Sequence, residues 1–204
     1  LSLLEKIFDF ANGNEKVYKI GIGTNGTIEI PEFFNNYSGK VDVFFSRHFE
    51  NQQNKSIIDL SKRLNNKNIS LKINCNLIKG GIDSPIKIKN FIEWAITQKV
   101  TSICFRELNN IDIENNLMYP KFIYEYIEYY KNNLIKINDI IKNLDGDFVS
   151  SRDVGNFYDS NFWFWYNNNF SIKFRKIDEN LLLEYNKNNH DLIDEYVIHP
   201  DGLL

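Results

Sequence analysis

Residues 69–85 constrain the fold more than any other stretch of this chain. Ile69, Leu71, Ile73, Cys75 and Leu77 alternate with Ser70, Lys72, Asn74 and Asn76. Successive strand side chains point to opposite faces, so the run predicts a β-strand with one apolar row and one polar row. Lys79-Gly80-Gly81-Ile82-Asp83 supplies a glycine turn, and Ser84-Pro85 opens a helix. Serine can accept from the first orphan N–H groups of a helix, and proline's fixed φ suits the first helical position. Ile88, Phe91, Ile92, Ala95 and Ile96 then recur as a single apolar stripe at helical spacing. A strand that leads directly into a helix is a βα unit, and in such units ligands gather beyond the carboxyl ends of the strands. The polar row and the glycine turn lie at that end.

The same alternation of strand and helix extends to both sides. Leu3, Leu4, Ile7, Phe8 and Ala11 predict an amphipathic helix over residues 1–12, ended by Asn12-Gly13. Val17 to Thr24 reads as a strand. The Thr24-Asn25-Gly26 that ends it suits a tight hairpin turn, and the alternative is a strand end presenting a hydroxyl and an amide to a site. Val41 to Phe45 is a further strand, followed at once by Ser46-Arg47-His48. Residues 54–64 give a weak helical pattern. Val100 to Phe105 is the fourth strand and ends in Arg106-Glu107-Leu108-Asn109. Helices are expected from Pro120, with Ile123, Tyr126, Ile127 and Tyr130 on one face, and over Asn138 to Leu144. From Asp147 onward short aromatic and β-branched runs (Phe162 to Tyr166, Phe170 to Ile177, Leu181 to Tyr185 and Tyr196 to His199) predict an antiparallel β-rich tail. Trp163 and Trp165 within it read as core or lid material.

The expected fold is therefore α/β, with a parallel sheet over residues 1–145, open or partly closed into a barrel, and a β-rich extension over residues 146–204. Right-handed crossovers would place four polar strand ends on one rim, which makes a small-molecule site the leading expectation.

Composition narrows the partners. A net charge of -3 over 204 residues gives no sign of a polyanion partner, so no nucleic acid is expected. No apolar run reaches the about 20 residues that span a bilayer, and the acidic start is not a signal peptide, so no membrane association is expected. Cys75 and Cys104 are the only cysteines, both inside apolar runs. That suits buried thiols in a reducing, cytoplasmic compartment better than a disulfide frame. The chain begins with Leu1, already inside a helical pattern, which suggests a missing N-terminus.

Thr24-Asn25-Gly26, Ser46-Arg47-His48, Lys72-Ile73-Asn74 with Lys79-Gly80-Gly81-Ile82-Asp83, and Phe105-Arg106-Glu107-Leu108 follow one another in an order and spacing that resembles the radical S-adenosylmethionine superfamily. Within it, the resemblance is to the branch that includes the molybdenum-cofactor enzyme acting on GTP. It covers residues 1 to about 110 and the tail only loosely, and these segments look like the third to sixth strands of that family's partial (β/α)6 barrel. The resemblance implies an enzyme in which a four-iron, four-sulfur cluster cleaves S-adenosylmethionine reductively to start radical chemistry on a small-molecule or peptide substrate, with an electron donor protein as a possible partner. By resemblance, Asn25, Ser46, Arg47, Asn74, Asn76 and Asn109 would meet S-adenosylmethionine, and Thr24, Lys72 and Arg106 the substrate.

The family's CxxxCxxC cluster loop is not in this chain, and two isolated cysteines do not replace it. The expectation is a C-terminal part of such an enzyme, inactive as it stands, with cluster ligands encoded upstream of Leu1. The rivals are a barrel-derived binding or scaffold protein without a cluster, and an unrelated (β/α) aldolase using Lys72 in Schiff-base chemistry.

Overall fold

The computed structural model describes residues 3–25, 39–52, 58–59, 61, 68–108, 120–153, 158–163 and 170–177. Four helices lie among them: α1 (Leu3–Asn12), α2 (Pro85–Thr97), α3 (Pro120–Asn133) and α4 (Ile137–Ile141). The strands are β1 (Lys19–Thr24), β2 (Lys40–Ser46), β3 (Ile69–Asn76), β4 (Ser102–Arg106), β5 (Phe148–Asp153), β6 (Tyr158–Trp163) and β7 (Ser171–Ile177). They form one mixed sheet in the order β1-β2-β3-β4-β7-β6-β5.

Pairing is parallel from β1 through β4 and again between β4 and β7. This gives an α/β protein with a five-stranded parallel sheet. The last two strands, β6 and β5, add to it antiparallel. The carboxyl ends of β1 to β4 therefore open on one edge, as the alternation of strands and helices implied.

Two expectations change. Thr24-Asn25-Gly26 does not turn the chain into the next described strand, because β2 runs parallel to β1. A two-residue hairpin joins only antiparallel neighbours. The strands after Asp147 pair antiparallel with one another as expected, but β7 also enters the parallel sheet beside β4, so the sheet continues across residues 145–146. β6 begins at Tyr158, upstream of the expected Phe162. The expected strands at Leu181 to Tyr185 and Tyr196 to His199, and Trp165, lie outside the described residues, as does most of the 54–64 segment.

The strand alternation sets the two faces of the sheet. One row carries Val41, Val43 and Phe45 of β2, Leu71, Ile73 and Cys75 of β3, Ile103 and Phe105 of β4, and Ile172 and Phe174 of β7, all buried in a single core. Phe8 and Ala11 of α1, Ile88, Phe91, Ile92 and Ala95 of α2, and Ile137 and Ile140 of α4 close over that row. Phe105 and Phe174 stack at 5.0 Å between ring centroids, locking β7 to β4. Each fully buried side chain of this size contributes about 1.5–3 kcal/mol of transfer free energy, so register is held firmly; a slip of one residue would turn the apolar row out to the other face. Ser84 caps α2 as its sequence predicts: its side chain accepts from the Lys87 N–H, and Pro85 takes the first turn.

Candidate functional site

The opposite face of the sheet is the polar one; α1, α2 and α4 pack on the apolar face. Parallel register arranges its side chains in rows across the strands. Ser46, Asn74, Cys104 and Lys173 are successive register partners. Phe44, Lys72, Ser102 and Ser171 form the row toward the strand beginnings, and Asn76, Arg106 and Arg175 the row toward their carboxyl ends. Together with Lys19, Asp42 and Thr101, most of these residues line a cavity of about 750 Å³.

Its electrostatics are lopsided. Five basic side chains (Lys19, Lys72, Arg106, Lys173 and Arg175) line the cavity against one carboxylate, Asp42. Lys72 Nζ lies 2.6 Å and Lys19 Nζ 3.2 Å from Asp42 Oδ2. Burial by itself would raise the Asp42 pKa, but the hydrogen bonds and charges of Lys72 and Lys19 outweigh it and hold the carboxyl below its ordinary range. On the β4–β7 side the sign reverses. Burial pushes the Lys173 ammonium below the usual lysine range; Cys104 opposes, and the charges of Arg175, Arg106 and Lys72 add to the depression. Arg106 Nε is buried and has no hydrogen-bond partner among the described residues.

The rim at the carboxyl end of β3 is held by a compact network. Gln52 Nε2 donates to the Ser46 carbonyl at 3.1 Å, and the His48 N–H donates to Gln52 Oε1 at 2.9 Å. The Asn76 N–H donates to His48 Nδ1 at 2.9 Å, so His48 is the neutral tautomer with its proton on Nε2. Burial lowers its pKa below the ordinary histidine value. The His48 carbonyl in turn accepts from the Ile82 N–H at 3.1 Å, tying this loop to the glycine turn. Gly80 has φ +81, and a Cβ on Gly81 would stand 2.5 Å from the His48 carbonyl oxygen, so both positions require glycine. Asp83 accepts from the Gly80 N–H at 2.7 Å and from Lys87 Nζ at 2.8 Å, closing the turn onto the start of α2.

The residues singled out in the sequence are distributed unevenly over this site. Ser46, Asn74, Asn76, Lys72 and Arg106 share the polar face. Thr24 does not: it follows Ile20 and Ile22 in alternation and is in register with buried Phe45, which puts it in the helix-packed phase. Asn25 is exposed just beyond β1. Arg47 is buried on the helix side, its guanidinium 4.0 Å from the Trp94 ring centroid and donating to the carbonyls of Glu50 and Gln52. Asn109 lies outside the described residues. Glu107, which follows Arg106, also turns away from the polar face: its Oε2 accepts from the Ile137 N–H at 2.8 Å and satisfies the start of α4.

Lys173 and Arg175 complete the cavity and were absent from the sequence-based candidates. Their signal was present: Ser171-Ile172-Lys173-Phe174-Arg175 repeats the polar–apolar alternation of β3, but only the pairing with β4 reveals which face that row joins.

No family model, curated protein or solved structure gives a match to this chain. The reading of the site therefore rests on its chemistry. Neutral hydroxyl and amide groups at Ser46, Asn74 and Asn76 stand beside the guanidinium of Arg106, a combination suited to ribose hydroxyls and a carboxylate or phosphate. An iron–sulfur cluster finds no such fit among the described residues. Cys75 faces the core, Cys104 lies in the opposite phase, both are buried, and no group of three His, Cys, Asp or Glu side chains is gathered in one place among the described residues.

Proposed function

We propose that this chain supplies the S-adenosylmethionine- and substrate-facing wall of a radical S-adenosylmethionine enzyme, with its parallel strands forming part of a (β/α) barrel. The observation that supports the reading is the register row Ser46–Asn74 at the carboxyl ends of β2 and β3, flanked by Asn76 and Arg106 on the same open face. These strands are consecutive, parallel and adjacent, as the segments resembling the family's third to sixth strands require. The cluster would supply the electron that cleaves the sulfonium, and its thiolates would have to come from outside this chain. The residues here would bind and orient: Ser46, Asn74 and Asn76 the nucleoside and methionyl groups, Arg106 and Lys72 the substrate, with the apolar core beneath them excluding water.

The poor fit of Cys75 and Cys104 to a cluster favours one rival, a binding protein on the same scaffold without radical chemistry. The aldolase reading loses support at Lys72. Its Nζ is held 2.6 Å from Asp42 Oδ2, so the atom that would attack a carbonyl in Schiff-base chemistry is already engaged by a carboxylate.

The test is to read the open frame upstream of Leu1 and to assay the full-length product, reconstituted anaerobically with iron and sulfide, for 5'-deoxyadenosine under reductant. A CxxxCxxC motif and product formation are expected. An in-frame stop without the motif, or cluster-loaded protein that makes no 5'-deoxyadenosine, rejects the radical reading.

A further inference from the structure

The charges of the cavity are split between two halves. On the β1–β3 side, Lys19 and Lys72 converge on Asp42, and their charge is met. On the β4–β7 side, Arg106 and Lys173 line the same cavity from neighbouring register rows, Lys173 opposite Cys104 and Arg106 one row nearer the carboxyl ends, and no acidic residue other than Asp42 lines the cavity among those described. Strand neighbours stand only about 4.8 Å apart, and like charges side by side on one face destabilise a sheet. Lys173 is half-buried, and the charges of Arg175, Arg106 and Lys72 add repulsion to its desolvation. Buried Arg106 Nε is left without a partner among the described residues.

A fold can sustain such a cluster when a ligand brings the missing negative charge. We propose that the β4–β7 half of the cavity is a phosphate-binding subsite, in which Lys173 and Arg106 hold the phosphoryl group of a small-molecule ligand. Several adjacent cations favour a phosphoryl group over a carboxylate: it carries close to two negative charges at neutral pH and offers three acceptor oxygens to a guanidinium and an ammonium at once. The recess of the sheet face admits a small phosphorylated molecule, while the chain's overall charge of -3 argues against an extended polyanion lying across it. The subsite stands on the lining charges and holds whether or not the same cavity performs radical chemistry.

The probe is inorganic pyrophosphate, titrated calorimetrically into the intact chain at fixed ionic strength. We expect saturable binding that weakens when the titration is repeated at higher ionic strength. Lys173→Gln should weaken binding at least tenfold, Arg106→Gln should weaken it similarly, and exposed Lys142→Gln should leave it unchanged. Thermal unfolding of the free variants establishes that they are folded. No binding at millimolar pyrophosphate, or equal affinity in folded Lys173→Gln and wild type, overturns the proposal. S-adenosylmethionine titrated in parallel separates the two readings: pyrophosphate binding without S-adenosylmethionine binding retains the subsite and counts against the radical enzyme.

Discussion

Gly81→Ala tests how the rim of the site is built. The new methyl group would stand 2.5 Å from the His48 carbonyl oxygen and 2.9 Å from Ile78 Cγ1. The first of these is backbone, so no rotamer change relieves it, and the loop at His48 must draw back from the turn. That withdrawal breaks the hydrogen bond from the Ile82 N–H to the His48 carbonyl, 3.1 Å long, at a residue with no exposure to solvent. Orphaning one buried amide costs about 1–3 kcal/mol, and the displaced packing adds about 1 kcal/mol, so the expected loss is about 2–4 kcal/mol. Gly80→Ala is the matched control. Its Cβ would meet nothing within 4 Å, and its φ of +81 alone opposes the substitution, at about 1–2 kcal/mol. Urea unfolding measures both. With an m-value of about 1–3 kcal/mol per molar, Gly81→Ala should lower the midpoint clearly more than Gly80→Ala at unchanged m. Equal midpoints, or a greater loss from Gly80→Ala, would refute the argument that close approach of the His48 loop fixes the turn.

Two further perturbations probe the charges. Folded His48 has a lowered pKa, so it binds its proton less tightly than the unfolded chain does, and its contribution to stability is present above the unfolded value of about 6.5 and is lost as the pH falls below it. His48→Asn keeps an acceptor for the Asn76 N–H without titrating, and should flatten the decline in unfolding free energy between neutral pH and about pH 5.5; a wild-type slope in the variant would show that another group sets it. Asp42→Asn removes the shared partner of Lys72 and Lys19. It should cost about 1–2 kcal/mol at neutral pH, discounted because both lysines are part-exposed. Because its folded pKa is depressed, the Asp42 contribution is present above its unfolded value and lost as the pH falls through the folded one; the variant's penalty should therefore vanish in strong acid, and a penalty constant with pH would contradict the ion-pair account.

Much of the fold was legible because local rules and tertiary packing agree. The β3–α2 unit follows from alternation, the Ser84 cap and Pro85, and the core uses the same Ile88, Phe91, Ile92 and Ala95 stripe that the spacing predicts. Less of the site was legible, for two physical reasons. One is phase: Arg47 directly follows Ser46, yet a single residue along a strand reverses the face, and Arg47 ends against Trp94 on the helix side. Thr24 falls in the helix-packed phase by the same one-residue step, in register with Phe45. The other is long-range pairing. Nothing local in residues 171–177 says that β7 will lie beside β4, so the cationic row it completes was hidden, and a net charge of -3 concealed a concentrated positive cluster.

The central claim is that the open polar face of β2, β3, β4 and β7 is the ligand face. Amide chemical shifts of isotope-labelled protein, followed as S-adenosylmethionine is added, test it most directly. The account predicts movement at Ser46, Asn74, Asn76 and Arg106, with Phe91 and Trp94 of α2 unchanged. Shifts confined to the helix-packed side, or none at saturating ligand, would contradict it.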